Sequence, residues 1–164
     1  MILCDTNILS TFAKIDQLGL LLQLFSDDEM AVVPAVYEEL QEGIRRGYVP
    51  LEAASAHIQR GSMIILAPNT QEIFDKDALP RSFDAGERET IAVANSRGYS
   101  ILTNETHVKN WCERMGLAYW DLPRILRALW RTDLLTKEQV RELVEQIEMK
   151  DRVVFKNQEA IFEE

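Results

Sequence analysis

Short apolar runs rich in β-branched residues recur along the chain, and each gives way to a stretch with helical periodicity. The runs are residues 1–6, 29–34, 62–68, 99–103 and 117–120. Between them lie amphipathic segments at 7–15, 17–25, 35–47, 51–61, 84–98 and 104–116. Strands that alternate with helices cannot be joined by tight hairpins. They need helical crossovers, and crossovers make neighbouring strands parallel. The pattern predicts an α/β fold: a three-layer α/β/α sandwich around a central, mainly parallel sheet.

Local signals set the element ends. Pro34 suits the first turn of a helix, and Gly47, Gly61, Gly98 and Gly116 close helices. Asp84 with Glu87, and Thr136 with Gln139, have the spacing of capping boxes. Asp16 marks a break between two early helices, and 69–83 reads as a short helix plus a loop. Nothing resembles a linker, a repeat or a low-complexity tract. We therefore expect one domain over 1–164, with 133–164 as a C-terminal helix and tail. The end of that tail, 151–164, is expected to be an edge strand or a partner-dependent arm.

Composition narrows the function classes. No apolar run approaches the roughly 20 residues of a membrane helix, and the N-terminus has no basic leader. Cys4 and Cys112 are too few for a disulfide framework and lack zinc spacing. A cytoplasmic protein with reduced thiols is the expectation. The net charge of −9 argues against a passive nucleic-acid coat. It does not oppose an enzyme that grips a phosphodiester through metal ions, because such a site needs local negative charge.

Acids gather where an open parallel sheet binds ligands, beyond the carboxyl ends of its strands. Asp5 directly follows the first run. Glu38 and Glu39 lie one turn into the helix after the second. Asp84, Glu87 and Glu89 open the helix that precedes the fourth run, and Glu105 follows that run after Thr103 and Asn104. Each position has a bland explanation as a helix cap or a solvated face. Val36, Leu40 and Ile44 form the expected buried stripe, so Glu38 and Glu39 must face different ways. Carboxylates converging on one edge repel one another unless a cation neutralises them, and oxygen ligands suit Mg²⁺ or Mn²⁺.

The order of these acids resembles the PIN domain, a nuclease fold that includes the VapC-type toxins. "ILCDTNIL" is similar to the family's opening strand with its first metal-binding acid, Asp5, and a small polar residue, Thr6. "VPAVYEEL" is similar to its second acidic position, which falls on Glu39 because the family's Glu precedes a Leu. "DAGERETIAVA" places the third acid at Glu87, with Asp84 and Glu89 compatible by spacing. "ILTNE" resembles the closing strand, with Thr103 in support and Glu105 where Asp is usual.

The resemblance implies Asp5, Glu39, Glu87 and Glu105 as catalytic metal ligands for Mg²⁺ or Mn²⁺, with Thr6 and Thr103 orienting carboxylates. It implies cleavage of single-stranded RNA, a homodimer and an antitoxin partner. The apolar segment 18–25 and the tail 153–162 offer surface for such contacts. Arg45, Arg46, Arg81, Arg88 and Lys109 are candidate cations for RNA, whereas Arg124, Arg127 and Arg131 read as a solvated stripe. His57 and His107 read as surface or capping residues. The alternative within the fold is a binding or regulatory module with degenerate chemistry, for which Glu105 and the ambiguous third acid speak. An aspartyl-phosphate phosphatase would need an acid two residues after Asp5, and Asn7 stands there.

Overall fold

The computed structural model describes residues 1–164. Its sheet has five strands: β1 (Ile2–Cys4), β2 (Met30–Val32), β3 (Ile64–Ile65), β4 (Ser100–Leu102) and β5 (Tyr119–Trp120). Their order is β3-β2-β1-β4-β5, and every pairing is parallel. The strands are shorter than the apolar runs because the flanking residues start helices: Asp5 and Val33 are N-caps.

The helices are α1 (Thr6–Lys14), α2 (Leu18–Leu24), α3 (Pro34–Arg45), α4 (Leu51–Gln59), α5 (Thr70–Ala78), α6 (Ala85–Arg97), α7 (Thr106–Met115), α8 (Leu122–Arg131), α9 (Lys137–Asp151) and α10 (Glu159–Phe162). From β1 the chain steps outward to β3, returns across the sheet to β4, and steps outward again to β5. Helical crossovers join each strand to the next. α1 packs on α4 and α9, α5 lies on α6, and α3 packs on both α4 and α6. The reversal falls between β1 and β4, and the crevice at their carboxyl ends is the binding position of such a sheet.

Register brings those ends level. Cys4 pairs with Leu102, and Leu102 with Trp120. The Asp5 N–H donates to Leu102 O at 3.0 Å, and the Thr103 N–H to Trp120 O at 3.0 Å. β1 is fully buried, as a central strand covered on both faces must be.

The tail departs from expectation. Residues 151–164 form no strand; Ile161 and Phe162 are buried where α10 packs on α8. The side chains of α8 satisfy the tail's carbonyls in place of a strand edge. Trp130 Nε1 donates to Ile161 O at 2.8 Å, Arg127 to Ala160 O, and Arg131 to Glu163 O at 3.4 Å. Arg124 lies 4.2 Å over the Tyr119 ring and donates to Tyr119 O at 3.0 Å. The expected solvated arginine stripe is therefore a clamp. The apolar surface expected for partners is also largely used within the chain: Leu18, Leu21 and Phe25 belong to the core.

One buried ion pair locks α5 to α6. Both Glu72 oxygens accept from Arg97, each at 2.7 Å, and Arg97 also reaches Ala67 O at 3.1 Å. The guanidinium holds the Glu72 carboxyl down at about 2. Breaking one partner of a buried pair typically costs about 3–5 kcal/mol. Arg97→Met is expected to lower stability by about that much in denaturant unfolding at neutral pH. Because folding depresses the Glu72 pKa from about 4.5, its contribution is present above that value and fades as pH falls toward 2. The gap between wild type and variant should close over that window.

Candidate active site

Asp5 ends β1 and caps α1. Its Oδ1 accepts the Thr6 N–H at 2.8 Å, and its Oδ2 accepts the Thr103 hydroxyl at 3.0 Å, so β1 and β4 are tied through one carboxylate. The residue is 5% exposed. Burial, with smaller contributions from the charges of Glu87 and Asp84, pushes its pKa up to about 7 against the two hydrogen bonds.

Glu39 lies on α3 beside the buried Val36 and Leu40, which turn it inward while Glu38 faces solvent. One Glu39 oxygen accepts the Gly86 N–H at 3.1 Å at the start of α6, and the other accepts the Thr6 hydroxyl. Burial and the charges of Asp84 and Glu87 raise its pKa. A Cβ on residue 86 would stand 2.5 Å from Glu39 Oε1, so the approach requires glycine there.

Glu87 and Asp84 complete the expected capping box. The Glu87 N–H donates to Asp84 at 2.8 Å, and the Asp84 N–H to Glu87 at 2.9 Å. Glu89 is buried but points elsewhere: it accepts the Ala35 N–H at 2.9 Å at the start of α3 and pairs with Lys76 at 2.7 Å. Glu105 is partly exposed and is held by the Asn7 side-chain amide at 2.9 Å. Asn7 Oδ1 in turn accepts the Asn104 N–H at 3.3 Å.

His107 joins this group against expectation. Its Nε2 is 2.9 Å from the Glu87 carboxylate and its Nδ1 is 3.9 Å from Glu105. Phe83 stacks on its ring, with centroids 5.4 Å apart. The Glu87 hydrogen bond, and then the nearby carboxylate charges, raise its pKa. Glu87, Glu105 and His107 bring ligand atoms within 4.8 Å of one another. The sequence signal for His107 is its place two residues after Glu105, in the first turn of α7; only the return of α6 shows that Glu87 faces it.

A family model for the PIN domain matches residues 1–160. The chain belongs to the PIN-domain family. No curated protein matches it. PIN domains form a nuclease family, and Glu87, Glu105 and His107 make a cluster that could hold a metal ion. No helix is long and apolar enough to cross a membrane.

The residues present fit the divalent ion that PIN nucleases use. Asp5, Glu39, Glu87 and Glu105 have no lysine or arginine partner, and His107 alone offsets Glu87 and Glu105. Buried carboxylates without a counterion are costly, and oxygen donors with one imidazole match a hard or borderline cation.

Two outcomes follow. Between about pH 4 and 7 the folded protein binds more protons than the unfolded chain through Asp5, so metal-free stability falls as pH rises across that window. Asp5→Asn is expected to raise the metal-free Tm by several degrees at pH 8, with the difference gone below pH 4 in thermal scans. Gly86→Ala meets only the mobile end of Glu39. It should keep the fold by circular dichroism yet weaken Mn²⁺ binding by about tenfold in calorimetry.

Proposed function

We propose that this PIN domain is a Mg²⁺- or Mn²⁺-dependent endoribonuclease that hydrolyses phosphodiester bonds of single-stranded RNA. The functional unit is taken as one domain, residues 1–164. The observation that carries the reading is the convergence of carboxylates without basic partners at the switch point between β1 and β4. Asp5, Glu39, Glu87 and Glu105 are the proposed ligands, and His107 stands beside the last two.

When bound, a divalent ion supplies the Lewis acidity that makes a water nucleophilic near neutral pH and offsets charge on the attacked phosphate. The chain's own residues set the geometry. Thr103 and the Thr6 N–H fix Asp5, Gly86 and the Thr6 hydroxyl fix Glu39, and Asn7 orients Glu105. Holding groups in place before reaction is what makes such a site effective. His107 Nε2 lies 2.9 Å from the Glu87 carboxylate, and that hydrogen bond raises the imidazole's pKa.

Among the candidate cations, Arg45 and Arg46 pair with Glu42 and Lys109 pairs with Asp121. Arg81 and Arg88 make no ion pair and flank Asp84, so phosphates of the substrate fall to them. On the resemblance to VapC-type toxins, the reading extends to a toxin with an antitoxin and a second copy of the chain as protein partners.

The deciding experiment is cleavage of a labelled single-stranded RNA pool with Mn²⁺, beside EDTA and Asp5→Asn. Cleavage that disappears with either change is expected, with a loss of about a hundredfold or more in rate for the variant. Full activity in Asp5→Asn would overturn the assignment. No cleavage and no Mn²⁺ binding by folded protein would favour a PIN-fold binding module instead.

A further inference from the structure

A cavity of about 760 Å³ runs along the open edge of β5 between α7 and α8. It contains none of the clustered acids, and its arginines are engaged with backbone carbonyls. A smaller groove of about 490 Å³ does reach the site, because Asn7, Asn104 and Glu105 form its floor. One wall is α1, where Asn7, Ser10, Thr11 and Lys14 share a face by helical spacing. The other wall is the segment after α9, with Val153 and Val154.

We propose that this groove seats one nucleotide of the RNA strand, next to the phosphodiester that is cut. The proposal rests on the nuclease reading above and adds the position and the residues of a neighbouring subsite. Continuity carries it: Glu105 belongs both to the acid cluster and to the groove, so a strand lying across the acids runs directly into it. The volume falls within the range of small-ligand pockets. The lining also suits a nucleoside. Ser10 offers a neutral hydroxyl, the two asparagine amides keep spare hydrogen-bonding capacity beyond their contacts within the chain, and Val154, 80% exposed, offers an apolar surface to the face of a base. Lys14, at the far end of the same wall, is paired with Asp151 and so leaves recognition to these neutral groups.

The second wall is built into the fold. The Asp151 carboxylate accepts from both the Thr11 hydroxyl and the Lys14 ammonium on α1. Arg152 then takes a left-handed conformation (φ 56°) that turns the chain off the end of α9. The ion pair thus anchors the chain just before 153–154, which line the groove together with Ser10.

Selective labelling tests the groove. Both native cysteines are fully buried, so Val154→Cys can be capped alone with a bulky maleimide, and Phe74→Cys on the exposed side of α5 serves as control. Two quantities are read: anisotropy of a short fluorescent single-stranded RNA in Ca²⁺, and cleavage kinetics in Mn²⁺. The label at 154 is expected to weaken RNA binding and raise KM by about tenfold or more while kcat stays within about twofold, equivalent to about 1.4 kcal/mol of binding. The label at 74 should change neither. RNA binding and cleavage both indifferent to the label at 154 would overturn the subsite and leave the nuclease reading intact. Label-sensitive binding without any cleavage would support the groove and sink the nuclease reading. Failure of the unlabelled protein to bind RNA would overturn the subsite outright.

Discussion

Asp5 ends a strand buried on both faces, with both carboxylate oxygens hydrogen-bonded and no basic side chain beside it. That one group joins the two halves of the sheet. Its bond to the Thr6 N–H starts α1 without a turn to spare, and its bond to Thr103 fixes the end of β4 at the reversal of strand order. Burial opposes its ionisation and carries its pKa to about 7. A protein folded for stability alone would place an amide or an apolar residue there. A buried carboxylate held at a strand end in this way is the pattern of a candidate functional site.

The start of α6 carries the same tension. Asp84 and Glu87 satisfy the first N–H groups of the helix, which is ordinary capping. Glu39 adds a third carboxylate from α3, and Gly86 leaves the room for it. Positive partial charge at a helix N-terminus favours acids there, by about 0.3–1 kcal/mol each in exposed settings. Their mutual repulsion remains, and His107 from α7 offsets part of it. Capping accounts for Asp84 and Glu87, and the proposed cation would draw on residues of the same helix start.

Away from the site, polar side chains do structural work. The arginines of α8 hold the C-terminal segment by its carbonyls, and Glu89 caps α3 from α6 while pairing with Lys76. Asp151, Lys14 and Thr11 fasten the end of α9 to α1 beside the crevice. A chain of net charge −9 therefore keeps few free cations near the cluster, and these are Arg81 and Arg88.

The sequence by itself determined the architecture and the sites of the acids. Apolar runs of strand length alternating with helical periods admit little besides a parallel sheet between helical layers, and capping residues such as Asp84 and Gly98 act within a few residues of themselves. Acids at fixed offsets from the strand ends were legible for the same reason, whereas the choice of Asp5, Glu39, Glu87 and Glu105 among them rested on the resemblance to the PIN domain. Tertiary structure decided which way side chains face and whom they meet. Glu87 and Glu89 are both buried on one helix, yet only the packing of α3 and α5 sends Glu89 to Ala35 and Lys76 and leaves Glu87 with His107. The arginine stripe of α8 and the apolar tail looked like surface because their partners are about 30 residues away along the chain. Periodicity describes one element at a time. A contact between elements depends on crossover, register and layer, and these exist only once the sheet has formed.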